Sequence, residues 1–136
     1  MQTVRRRGAS GAGSMDFDMA ALERLPQRRI VTETPWYAGP REFSGPLLRE
    51  VLQLAGVPPQ AQRARLVALN DYRVEMPLED ARGHDVIVAR LLDGKPMSVR
   101  EKGPLFVMYP FDREPALRST LYYSRCVWQL RTIELS

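Results

Sequence analysis

Apolar residues at 47, 48, 51, 52, 54 and 55 recur at the three- and four-residue spacing of a helix that hides one broad face. That pattern predicts a helix within "FSGPLLREVLQLAGVPP", residues 43–59. Ser44 or Gly45 can cap it, and Pro46 suits a first turn, where its missing N–H is not needed. Gly56 fits the left-handed position after the last turn, and Pro58-Pro59 bars continuation. A shorter helix is predicted over Met19–Leu25, with Asp18 as cap, Leu22 and Leu25 facing inward, and Pro26 just beyond.

Between these helices the period changes to two. "RRIVTET", 28–34, reads as a strand, and "PWYAGPREF", 35–43, as a loop. "ARLVALN", 64–70, reads as a buried strand, turning at Asn70-Asp71 into a second one in which Tyr72, Val74 and Met76 alternate with Arg73 and Glu75. A helical turn is expected around Glu79–Ala81. "DVIVARLL", 85–92, reads as one strand, and Asp93-Gly94 as a two-residue hairpin turn into "KPMS". "SVREKGP" is a polar loop, "LFVMYP" an apolar strand, and "REPALRSTLYYSR" a short helix or coiled loop. In the last strand, "CVWQLRTIEL", Trp128 and Leu130 share one parity, whereas Ile133 and Leu135 share the other. A β-bulge near Arg131 reconciles them. Strands outnumber irregularly spaced helices, so the fold class is α+β, mixed and mainly β.

The 136 residues suffice for a single domain with its own core, and 44% hydrophobic against 26% charged residues is ordinary for a globular chain. The formal charge of +4 is mostly local. Residues 1–15 hold Arg5, Arg6, Arg7 and no acid, leaving 17 basic against 16 acidic groups in the rest. No nucleic acid is therefore expected as a partner. Residues 1–15 lack the apolar stretch of a signal peptide and read as a flexible leader or remnant, with the domain over 16–136. No window approaches the ~18–20 apolar residues of a membrane span.

One histidine and one cysteine do not supply a zinc or iron site of the usual ligand count. Phosphate-loop, dinucleotide and nucleophile-elbow motifs are absent. His84 and Asp85 are neighbours at a strand entrance and point to opposite faces, so they read as surface groups and not as a catalytic pair. Cys126, inside an apolar strand, reads as a small buried hydrophobe.

Four pieces in order, "FSGPLLREVLQLAGVP", "LVALNDYRVEMPLEDA", "VIVARLLDGKPMSVREKGPLFVMYP" and "SRCVWQLRTIEL", resemble the sulfite-oxidase-like molybdopterin-binding domain over roughly residues 28–135. The resemblance implies that family's mixed α+β fold, with a pterin-type ligand held at strand ends and loops. Enzymes of the family bind molybdenum through a cysteine in the segment before the "FSGPLL" helix. Here that segment, "RRIVTETPWYAGPREFSG", has none, so no metal is expected and the enzymatic role recedes while the ligand pocket stays. Short members lacking the ligand are similar to bacterial periplasmic pterin-binding proteins that work with membrane signalling proteins, including enzymes of cyclic di-GMP. The alternatives are a molybdopterin-dependent oxidoreductase with an atypical metal site, and a domain that binds only protein.

A pterin is a flat, guanine-like ring with an N–H and an amine on one edge. A carboxylate accepts both hydrogens, and aromatic or guanidinium planes stack on its faces. The expected ligand-binding residues are Trp36, Asn70, Asp71, Tyr72, Tyr109, Tyr123, Arg125 and Trp128, with Asp71 at the ring's donor edge and Tyr72 near its face. Each has a structural reading as well: Asp71 as an Asx-turn, Trp128 as core, the tyrosines as either.

Overall fold

The computed structural model describes residues 2–6, 14–17, 19–57 and 60–135. Along the chain come β1 (Gln2–Arg6), β2 (Ser14–Phe17), α1 (Met19–Arg24), β3 (Gln27–Thr34), β4 (Tyr37–Pro46) and α2 (Leu48–Ala55). They are followed by β5 (Arg63–Ala68), β6 (Arg73–Pro77), α3 (Leu78–Gly83), β7 (Ile87–Ala89), β8 (Leu91–Leu92) and β9 (Lys95–Pro96). The chain ends on β10 (Phe106–Met108), α4 (Thr120–Arg125) and β11 (Leu130–Leu135). Among the described residues three sheets form, in the orders β2-β1-β11-β5-β6, β3-β4-β8-β9 and β10-β7. All pairs are antiparallel except β1 with β11. No described helix is long and apolar enough to cross a membrane.

The mixed, mainly β architecture is the expected one, and so are the hairpins that turn at Asn70-Asp71 and Asp93-Gly94. Asp93 and Gly94 both take positive φ, 51° and 81°, as a two-residue turn between β8 and β9 requires. The β11–β5 register slips between Leu130 and Thr132, so Arg131 is the extra residue of a bulge, where the parity change predicts one. By contrast, Gln2–Arg6 and Ser14–Phe17 pair as strands where the sequence predicts a flexible leader. Arg7, Asp18 and Pro58-Pro59 lie outside the described residues.

Two elements depart from the periodic reading for tertiary reasons. α2 starts at Leu48, not near Ser44, because Phe43–Pro46 continue β4 as four buried positions. Its first donor is satisfied by backbone, Leu48 N–H to the Val86 carbonyl at 2.8 Å, so no side-chain cap is needed. Gly45 is required there by packing: a Cβ would lie 1.9 Å from the Val88 carbonyl oxygen, so β4 presses directly on β7. Leu48, Val51, Leu52 and Ala55 are buried as expected, whereas Leu54 is exposed. The strand predicted over 85–92 breaks at Arg90 because β7 joins β10 while β8 joins β4.

The core runs between these sheets, with Phe43, Leu48, Leu66, Ile87, Phe106 and Met108 inaccessible or nearly so. Each such side chain contributes ~1.5–3 kcal/mol by leaving water. Strand ends at the edge of this core carry the candidate site.

Candidate functional site

Three chain turns meet around a cavity of about 440 Å³. The first is the β3–β4 turn. Thr34 pairs with Tyr37, which leaves Pro35-Trp36 as a two-residue turn in place of the predicted long loop. Trp36 is half-buried, 5.4 Å from Phe106 between ring centres, and edge-on to Trp128 at 5.7 Å and to Tyr123 at 5.9 Å. Such ring pairs add ~0.5–1.5 kcal/mol each beyond area burial, so the indole is held as well as presented.

Trp128 comes from the segment before β11. Val107 N–H donates to the Val127 carbonyl and Leu130 N–H to the Leu105 carbonyl, which fastens this segment along β10. Gln129 turns at φ 55°, and Leu69 N–H donates to its carbonyl. The Lys102 ammonium stands 5.4 Å from the Trp128 ring and 5.5 Å from Tyr37, a cation–π arrangement at the outer end of the aromatic group. Burial raises the Tyr37 phenol, against the lowering effect of Arg41.

α4 supplies the second wall. Ser119 caps it, its hydroxyl accepting from Tyr122 N–H. Helical spacing then puts Thr120, Tyr123 and Ser124 on one face, and all three line the cavity. The third wall is the β5–β6 turn. Asn70 Oδ1 accepts from Tyr72 N–H at 3.1 Å, and Tyr72 Oη donates to the Ser124 carbonyl at 3.1 Å, tying the turn to α4.

Of the residues expected from the sequence, Trp36, Asn70, Tyr72, Tyr123 and Trp128 line this cavity; Asp71, Tyr109 and Arg125 do not. Asp71 sits at φ 67°, and its carboxylate accepts from Arg131 at 3.1 Å. The Asx-turn considered for Asp71 is made by Asn70 instead. Tyr109 is fully buried, with its hydroxyl on Asp80 Oδ2 at 2.8 Å; Arg125 donates to that same oxygen at 2.8 Å. Burial first, and then the Asp80 contact, push the Tyr109 phenol far up. Both belong to a polar network away from the cavity lining. His84 and Asp85 are not paired either: His84 Nδ1 meets Glu114 at 2.8 Å, and Asp85 meets Arg49 and Arg113.

Pro35, Ala68, Thr120, Ser124, Cys126 and Val127 complete the lining and were not anticipated. The available signal was Ser119, whose capping position fixes the face that α4 presents. Cys126 is buried as expected, but at the end of α4 and not inside a strand. Burial pushes its thiol up to about 12, so it lines the cavity as a neutral S–H.

Asp71→Asn is accordingly expected to change pterin affinity by less than about two-fold and stability by less than ~0.5 kcal/mol. The Asp71–Arg131 pair is solvent-exposed, and Asn tolerates positive φ as well as Asp. Calorimetric titration and thermal melting check it; a tenfold loss of affinity would place the carboxylate on the ligand.

The aromatic walls of the lining suit a flat ring. In the segment where the resemblance implies a metal-ligating cysteine, Thr32 Oγ1 is bonded to Asp112, Glu33 is exposed, and Thr34 Oγ1 is buried without a hydrogen-bond partner. Among the described residues no group of three or more His, Cys, Asp or Glu is placed to hold an ion.

Residues 12–111 match the family model described as "Oxidoreductase molybdopterin binding domain". No curated protein matches the chain. Among solved structures, the crystal structure of the sulfane dehydrogenase SoxCD from Paracoccus pantotrophus superposes with a TM-score of 0.67 at 16% identity, over 98% of this chain. The match takes in 38% of the SoxCD chain, so the likeness shows a shared fold over a part of that protein. The chain belongs to the oxidoreductase molybdopterin-binding domain family and has its sulfite-oxidase-like α+β fold.

Proposed function

We propose that this chain binds the ring of a reduced pterin without molybdenum catalysis, and that it relays ligand occupancy to a membrane signalling protein such as a cyclic di-GMP enzyme in the periplasm. The carrying observation is the cavity itself, walled by Trp36, Tyr123 and Trp128 and lined by no charged side chain. A reduced pterin ring is flat and uncharged near neutral pH, and stacking on such walls is worth ~1–3 kcal/mol per ring. The phosphate of molybdopterin would meet no cation in this lining, and Lys102 is engaged over Tyr37 and Trp128. The signalling role rests on the resemblance of the short, cysteine-lacking form to pterin-binding periplasmic proteins.

The test is calorimetric titration with a reduced, unphosphorylated pterin, alongside elemental analysis of protein from its native host. Saturable one-to-one binding without stoichiometric molybdenum supports the proposal. The family match favours a second reading, a molybdopterin-dependent oxidoreductase. About one molybdenum per chain would decide for that reading and against the first.

A further inference from the structure

The sequence offers a carboxylate, Asp71, to read a donor edge of the ligand. The structure gives that place in the turn to an amide. A backbone N–H only donates, so the Asn70 atom facing Tyr72 N–H at 3.1 Å is the amide oxygen. With Oδ1 committed to the turn, the polar group that this exposed side chain at the cavity rim has left is its NH2, which has no partner among the described residues. The amide cannot exchange the two roles without losing the Asx-turn. Among the other polar side chains of the lining, Ser124 Oγ donates to the Leu121 carbonyl, the Thr120 and Tyr123 hydroxyls serve either way, and the two indoles only donate. No carboxylate lines the cavity.

We infer that Asn70 is a specificity-determining residue that donates a hydrogen bond from its amide to an acceptor on the ligand ring. This deepens the pterin reading and rests on it. On a pterin the acceptor is the carbonyl oxygen at position 4, beside the N3–H and 2-amine that a carboxylate would read. A ring with an amine at position 4 would set donor against donor there and leave both groups unmatched.

Asn70→Asp separates the turn from the read-out. A carboxylate oxygen still accepts from Tyr72 N–H, so the turn keeps its hydrogen bond, while the donor toward the cavity becomes an acceptor. The full chain and the variant are titrated with dihydroneopterin, which carries the 4-carbonyl, and with 2,4-diaminopteridine, which carries a 4-amine. The wild type should bind the carbonyl ring at least about tenfold more tightly than the amine ring. Asn70→Asp should weaken dihydroneopterin by about tenfold, improve 2,4-diaminopteridine, and melt within a few degrees of wild type. A purely structural Asn70 would leave the ratio of the two affinities unchanged, and that result overturns the inference while the pterin reading stands. Failure of the wild type to bind either ring overturns both.

Discussion

Asp80→Ala destabilises the chain by about 3–5 kcal/mol, the loss expected when one partner of a buried ion pair is removed. Asp80 is 8% exposed, and a single oxygen of its carboxylate receives both the Tyr109 hydroxyl and the Arg125 guanidinium at 2.8 Å. Removing it leaves a buried cation with no counter-charge, whose Nε already lacks a hydrogen-bond partner, and a buried phenol with none. The desolvation cost of each group then stands uncompensated. Because Arg125 is the last residue of α4, the cavity wall formed by Thr120, Tyr123 and Ser124 loosens with it. Urea unfolding followed by circular dichroism measures the loss. Asp80→Asn keeps one acceptor oxygen and should lose less. An Asp80→Ala midpoint equal to wild type would show that the network contributes nothing to stability.

Trp36→Ala should cost in two currencies at once. Its ring touches Phe106, Tyr123 and Trp128, so truncation opens a gap in a packed aromatic group and removes about 3 kcal/mol of stability, the lower end for a buried Trp→Ala. Lost stacking should weaken reduced-pterin binding by a further ~1–3 kcal/mol. Trp36→Phe keeps a ring in the group and should recover most of the stability and part of the affinity. Thermal melting and calorimetry on both variants separate the two effects. Affinity retained in Trp36→Ala would place the ligand elsewhere.

The parts of the fold that were legible in the sequence are those fixed locally. Positive φ at Asp93-Gly94 follows from turn chemistry, and the bulge at Arg131 follows from a parity change that a half-buried strand cannot otherwise absorb. What was illegible depended on contacts between distant segments. The start of α2 is set by a carbonyl of Val86, about forty residues on, and Gly45 reads as a cap until β7 is seen against it. The same division runs through the site. Trp36 stood out because an indole beside a proline in a loop has few local explanations, whereas Trp128, in an apolar strand, read equally as core. Tyr109 and Arg125 looked equally suitable for a ligand, and only the carboxylate of Asp80, 29 and 45 residues away, reveals them as each other's neighbours. Asn70 and Asp71 were adjacent candidates; Asn70 lines the cavity, while Asp71, at φ 67°, accepts from Arg131 across the turn.

The chain has two tryptophans, and both stand in the same wall. Under near-ultraviolet excitation selective for indole, nearly all of the molecule's emission therefore originates within a ring's width of the place a ligand would occupy. No distant indole contributes a constant background. A bound heterocycle that absorbs where tryptophan emits would drain this light by energy transfer, and an empty cavity would leave it bright, so the native protein is its own optical gauge of occupancy.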